Sequence, residues 1–322
     1  MQQYRDRSGL NHEEWVAEFK RLGAAGFAHK YDLDIRNVYK KRRMLEATFG
    51  EIKNPLNLDK NKPAKHVRKE IDTNDLVMIV GSDAHYQLNT VSTAHLAFVE
   101  LTKELQPDMI ILNGDMIDGA SISRHPPRGW EYIPALSDEM ETVQQRLEEI
   151  EKAAPSAERI WTIGNHDARF ESRLASQMPE LRGLTGTRLE DFFPSWSIYM
   201  SMHINFGDRE KLVIKHRWNG GVHAGYNNVL KGGANMVTGH THQQECKPYT
   251  DYTGTRFGIQ LGTMQEPHAP AFEYAEDSPK NWVSGFAVIT IRDGILMMPE
   301  FIRAHKPGTY EFRGELRQID DD

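Results

Sequence analysis

The sequence predicts an α/β domain preceded by a small all-α domain. Two observations carry this. From residue 76 onward, short apolar runs alternate with helical stretches, whereas residues 1–50 carry apolar positions at helical spacing. A third observation concerns charge. Residues 1–70 hold 16 Lys and Arg against 10 Asp and Glu, and the remaining residues hold 23 against 36. A basic head on an acidic body points to an anionic partner for the head.

Composition excludes several classes. A chain of 322 residues with 39% hydrophobic and 26% charged residues is that of an ordinary globular protein, neither disordered nor fibrous. No apolar run approaches the roughly 18 residues of a membrane span, so no membrane partner is expected. The stretch MQQYRDRSGLNHEEW has no apolar core, so no secretory signal is expected. One cysteine, Cys246, rules out an intrachain disulfide and fits a reducing cytoplasm, the expected location. Nothing around Cys246 argues for a nucleophile.

In the head, Asn11 is placed to cap a helix in which Trp15, Phe19 and Leu22 share a face and which Gly23 ends. A short second helix is expected in AAGFAHKY. Asp32 and Leu33 form a tight turn, Asp34 caps, and Ile35, Val38, Arg42 and Leu45 face inward from a third helix. Its outer face carries Arg36, Asn37, Lys40, Lys41 and Arg43. The spacing F-A-x-x-x-D-L-D-x-x-x-V-Y-x-x-R over residues 27–42 resembles a helix-turn-helix, with Asp32 where that family usually has glycine. The resemblance implies a DNA-binding domain over residues 1–50 that reads DNA through those five outer residues. Residues 51–75, with two prolines and six Lys or Arg, are expected to be a basic polar linker that could track phosphates.

The body, residues 76–322, contains five apolar runs that end in metal-ligating residue types. LVMIV (76–80) runs into Gly81-Ser82-Asp83-Ala84-His85, and MIIL (109–112) into Asn113-Gly114-Asp115-Met116-Ile117-Asp118. IWTI (160–163) leads to Gly164-Asn165-His166-Asp167, LVIK (212–215) to His216, and NMVT (235–238) to Gly239-His240-Thr241-His242. Helices are expected at 91–105 and 137–152, and a hairpin turning at Asp293-Gly294 over 285–302, completing the second sheet. In an open α/β sheet, ligands bind beyond the carboxyl ends of the strands, where all five clusters lie. Asp, His and Asn suit Mn²⁺, Fe, Zn²⁺, Ni²⁺ or Co²⁺. Asp83 and His85, two apart in extended chain, should project to one side, and the preceding glycines should let the backbone turn.

The ordered set D-x-H, G-D-x-x-D, G-N-H-D, H, G-H-x-H resembles the calcineurin-like metallophosphoesterase superfamily, from about residue 75 to at least residue 242. The resemblance implies a four-layer α/β/β/α sandwich with a two-metal site at its edge. Asp83, His85 and His242 would hold one divalent ion, Mn²⁺ foremost, and Asn165, His216 and His240 a second. Asp115 would bridge both. His216 is preferred over His223 because it directly ends an apolar run. His166 would face the leaving group, oriented by Asp118 or Asp167.

The implied reaction is phosphoester hydrolysis by metal-bound hydroxide, with His166 as general acid. Gly119 stands where protein phosphatases of the superfamily have arginine, and G-N-H-D replaces their G-N-H-E. Both departures point to a phosphodiesterase or nuclease, with DNA as the expected substrate and partner. Arg124, His125, Arg128 and Arg169 follow ligand motifs and could contact phosphate, and loops 121–134 and 265–282 could form rims over the site. The alternatives are a small-nucleotide phosphodiesterase and a DNA-binding regulator with a vestigial esterase body. The intact ligand set argues against the last.

Overall fold

A computed structural model of the chain describes residues 8–52, 68–125, 133–269, 272 and 278–319. Arg128, most of the proposed linker and parts of both proposed rims lie outside these residues. The chain divides into two compact units between residues 65 and 66.

In the N-terminal unit, helix α1 (His12–Lys30) begins with a reciprocal cap. Asn11 Oδ1 accepts from the Glu14 N–H at 2.9 Å, and the Glu14 carboxylate accepts from the Asn11 N–H at 3.0 Å. Gly23, at φ 69° and ψ 173°, breaks α1 into two helical segments. Asp32 takes a left-handed φ of 48° in the turn that follows, a conformation Asp tolerates better than most residues. Helix α2 (Ile35–Phe49) starts on Asp34, whose Oδ1 accepts from the Arg36 N–H at 2.8 Å. Trp15, Phe19 and Phe27 pack with Val38, Leu45 and Ile52 to form the unit's core.

One basic-face assignment is corrected here. Lys41 is buried with Val38 and Leu45, positions that share one helical face, and its Nζ lies 5.5 Å from the Trp15 ring centroid. Its methylene stem covers aromatic surface and its ammonium sits over the indole π-face, so it belongs to the core. Ile35, expected inside, is exposed. Arg36, Asn37, Lys40 and Arg43 are exposed as expected.

The second unit holds two sheets among the described residues. Its elements are β1 (Arg68–Asp72), β2 (Leu76–Gly81), α3 (Thr93–Leu105), β3 (Met109–Leu112), α4 (Leu136–Ala153), β4 (Glu158–Thr162) and α5 (Ala168–Gln177). There follow β5 (Ser197–Tyr199), β6 (Ser201–Phe206), β7 (Glu210–Ile214), α6 (Ala224–Gly232), β8 (Asn235–Thr238), β9 (Gln244–Asp251) and β10 (Gly254–Leu261). The last strands are β11 (Gly285–Arg292), β12 (Ile295–Leu296), β13 (Glu300–Lys306), β14 (Thr309–Phe312) and β15 (Glu315–Gln318).

One sheet runs β15-β14-β13-β11-β2-β3-β4-β5, with β12 on β11, and the other runs β1-β6-β7-β8-β10-β9. Strands β2 to β5 are parallel, and the central β2 and β3 are covered on both faces, which explains their continuous apolar runs. Ile79, Ile110, Leu112 and Trp161 face the core shared with α3 and α4. Met78, Val80, Ile111 and Ile160 face Ile204, Ile214 and Val237 of the other sheet. Helix α6 covers that sheet's far side through β8, β9 and β10. The result is four layers, α/β/β/α.

Two expectations change. Residues 68–72 are not linker: they form β1, paired in parallel with β6 at the edge of the six-stranded sheet. The 285–302 hairpin turns at Asp293 and Gly294, both at positive φ, as read from the sequence. However, β11 pairs with β2, so it extends the sheet of β2–β4 rather than completing the other. Nothing in its own apolar pattern distinguishes those two neighbours.

Candidate metal centre

The carboxyl ends of β2, β3, β4, β7 and β8 converge on a cage drawn from both sheets. Asp83, His85 and His242 place ligand atoms within 4.8 Å of one another, and so do Asp115, His216 and His240. The groups adjoin: His216 Nε2 lies 3.0 Å from Asp115 Oδ2 and 4.0 Å from Asp83 Oδ1. His242 Nε2 lies 3.1 Å from the same Asp83 oxygen. His216 is fully buried, whereas His223 caps α6 at the surface. Asn165 directly follows Gly164 at the end of β4, and its Oδ1 is buried.

The backbone achieves this convergence differently from the extended chain expected. Asp83, His85, Asp115, His240 and His242 have φ of 55°, 39°, 58°, 69° and 58°. These left-handed conformations are uncommon for non-glycine residues and concentrate at functional sites. The ligands therefore make the turns themselves. Neighbouring glycines supply room: a Cβ on Gly164 would stand 2.1 Å from Asp115 Oδ1, and one on Gly239 2.5 Å from Asp83 Oδ2.

Three ligands are held from behind. His216 Nδ1 donates to the Asn113 carbonyl at 2.7 Å, which leaves Nε2 facing the carboxylates. Ser82 Oγ donates to Asp83 Oδ2 at 2.5 Å, and the His240 N–H donates to both Asp83 oxygens. His85 Nδ1 and His166 Nδ1 approach the same Asp118 oxygen, at 3.2 and 3.1 Å. Asp118 thus orients both rings. Asp167, the alternative for that role, does not touch the His166 ring. It is buried and accepts from the N–H groups of Asp115, Met116, Ile117 and Gly164 and from Trp161 Nε1, at 2.8 to 3.2 Å. Its work is to pin the Asp115 loop.

The electrostatics fit divalent ions. Burial penalises the Asp83 carboxylate, yet the charges of His216 and His242 outweigh this and draw it down to about 2. Burial likewise disfavours a charged His216, but Asp115 and Asp83 push it up to about 10. The two buried carboxylates thus favour positive charge beside them, which in the protein alone draws a proton towards His216. A divalent cation would replace that charge and release the proton. Among the described residues, His85 Nε2, His242 Nδ1 and Asn165 Oδ1 are buried without a hydrogen-bond partner. Buried polar atoms are rarely left so unless something else satisfies them. The donor set therefore fits metal.

A match to the calcineurin-like phosphoesterase family covers residues 76–244, half of the chain. The chain belongs to that family. It is a phosphoester hydrolase of the metallophosphoesterase type. Among curated proteins it is 25% identical over 221 residues to the Gene 54 protein of Mycobacterium phage L5, covering 62% of this chain and 82% of that protein. The Gene 54 protein of Mycobacterium phage D29 is 24% identical over 226 residues, covering 64% and 85%. Among solved structures, it is similar to Yfce, a phosphoesterase from E. coli, at 13% identity and a TM-score of 0.36, covering 70% of this chain and 98% of that one. It is also similar to the Pseudomonas putida nuclease MPE at 12% identity and a TM-score of 0.30, covering 68% and 85%.

Two residues of this metallophosphoesterase site, Asn113 and Glu139, escaped the sequence reading. Asn113 matters through its carbonyl, which no motif reports. Glu139 of α4 is buried behind the Asp118 loop, where its Oε1 accepts from the Gly119 N–H at 2.6 Å. Arg169 donates to the Asp118 carbonyl at 2.7 Å and sets its other guanidinium nitrogen 3.1 Å from His166 Nε2. Arg169 was expected to contact phosphate, and its partners here are the Asp118 carbonyl and His166.

Proposed function

We propose that the chain is a dinuclear phosphodiesterase that cleaves nucleic acid, DNA foremost, and that its N-terminal unit delivers the substrate. The observation that supports this best is the pair of adjoining ligand groups with His166 beside them. Asp83, His85 and His242 would hold one ion, and Asn165, His216 and His240 the other, with Asp115 between them. Divalent ions there would acidify water and neutralise charge on phosphoryl oxygens. Manganese remains the first candidate.

The protein's own contribution is positional. Asp118 fixes His166 through Nδ1, at 2.8 Å from its carbonyl and 3.1 Å from its carboxylate. A guanidinium only donates, so Nε2 accepts from Arg169 and Nδ1 carries the ring proton. To pass a proton to a departing oxygen, Nε2 must first release Arg169 and take up a proton from solvent, giving an imidazolium whose Nδ1–H stays on Asp118. Arg169 is then free to grip the phosphate.

The nucleic-acid reading is supported by the exposed Arg36, Lys40 and Arg43 on α2, set against an acidic remainder. The test is an assay of the Mn²⁺-loaded full chain on single- and double-stranded DNA, cyclic nucleotides and an aryl phosphodiester. DNA should give the highest kcat/KM, and Asp115→Asn should abolish turnover and lower metal content. Faster turnover of cyclic nucleotides than of DNA would overturn the nuclease reading in favour of a small-nucleotide phosphodiesterase.

A further inference from the structure

Beside Asn165, an open groove of about 380 Å³ runs along α5. Its charged lining is wholly basic: Arg169 and Arg173 from α5, Arg124 from the loop after Ile122, and Arg217 directly after His216. No Asp or Glu lines it, although residues 71–322 hold 36 acidic against 23 basic side chains. Arg124, Arg173 and Arg217 are exposed, and among the described residues no ion pair or hydrogen bond engages their guanidinium groups. Arg169, Ser172 and Arg173 follow at helical spacing, so one face of α5 supplies both guanidinium and hydroxyl donors.

Grouped guanidinium ions repel one another, and that repulsion is relieved by a ligand carrying several negative charges. Arginine's planar fork also matches phosphate oxygens two at a time. Asn165 belongs both to the groove and to the candidate metal centre, so an anion in the groove lies next to the reacting phosphate. We infer that the groove is a subsite for the neighbouring phosphates of an extended nucleic-acid strand. This inference rests on the proposed phosphodiesterase reading and narrows it. A substrate with one phosphate, such as a cyclic nucleotide, would leave the groove unfilled. A strand would fill it, giving the catalytic unit its own hold on substrate, independent of α2.

The test compares the full chain with Arg173→Ala/Arg217→Ala, two exposed residues outside the catalytic machinery. The first readout is fluorescence anisotropy of a labelled, 5′-phosphorylated trideoxynucleotide in EDTA, where no cleavage occurs. The variant should bind at least tenfold more weakly, and the slope of log affinity against log salt should shrink by about 1.4, close to 0.7 for each lost single-strand phosphate contact. The second readout is Mn²⁺-dependent turnover. The variant should raise KM for an oligonucleotide about tenfold and leave bis(p-nitrophenyl) phosphate within twofold. No binding by the parent chain, or equal binding by both, overturns the subsite. Equal losses on both substrates overturn it too. Weaker binding by the variant while neither chain hydrolyses any diester leaves the subsite standing and removes the phosphodiesterase reading instead.

Discussion

Asp118 and Asp167 are both acids of the ligand motifs, yet the structure gives them opposite work. Asp118 touches two imidazoles at the site, whereas Asp167 gathers five N–H donors in the interior. Asp118→Asn should therefore keep the fold and lower turnover 10–100-fold, the usual effect of losing a partner behind a ligand. Asp167→Asn puts an NH₂ group among N–H donors, so it should lower the apparent Tm by several degrees before any kinetic effect is read. Thermal scans beside kcat separate the two. Glu139 offers a pH test. Burial pushes its carboxyl up to about 7 from an ordinary 4.5. The folded chain thus keeps a proton that the unfolded chain has lost, and stability falls as pH rises from about 4.5 to about 7. Glu139→Gln keeps an oxygen for the Gly119 N–H and cannot ionise. Its apparent Tm should be flatter across that window and higher above pH 7, by a free energy on the order of 3 kcal/mol at most. A variant that tracks the parent chain at every pH would show that Glu139 is ordinary in the fold.

At the scale of the element, α2 is the helix whose function depends on which face is free. With Lys41 in the core, the exposed basic set is Arg36, Lys40 and Arg43. Reversing those three charges should weaken DNA binding at least tenfold at physiological salt and flatten its salt dependence, while aryl-diester turnover stays unchanged. Electrophoretic shift at two salt concentrations, beside a colorimetric assay, checks it; undiminished binding would make α2 a packing helix. The same helix shows what a sequence can and cannot tell. The caps of α1 and α2 were legible because Asn11 and Asp34 act on their own neighbours. The burial of Lys41 was not, because an ammonium over an indole looks the same in sequence as an ammonium in water. Similarly, the ligand-bearing strands were plain from apolar runs that end in Asp, Asn or His. Strand β1 hid in a polar stretch because an edge strand half-covered on one face needs little apolar signature; its burial alternates only between exposed and half-buried, with Ile71 its one apolar contact to the core. The wrong sheet for β11 has a similar origin, since a strand buried on both faces does not encode its neighbour.

For the whole molecule, the important fact is where the ligands come from. Asp83, His85, Asp115 and Asn165 follow strands of the nine-stranded sheet, and His216, His240 and His242 follow strands of the other. Divalent ions bound there would join the two layers, so binding to the folded state alone must stabilise it, by about 4 kcal/mol at a thousandfold excess over Kd. Mn²⁺ should raise the apparent Tm and EDTA should reverse the rise. Asp115→Asn should lose most of the increment; an unchanged increment would place the ion elsewhere. Among the described residues no helix is long and apolar enough to cross a membrane. The split origin of the cage also bears on the chain as it is synthesised. A nascent polypeptide that has placed β2, β3 and β4 owns only half a site, and His242 emerges 159 residues after Asp83. The complete ligand set thus arrives late, once the sandwich has closed, and truncated products that stop earlier lack a whole site.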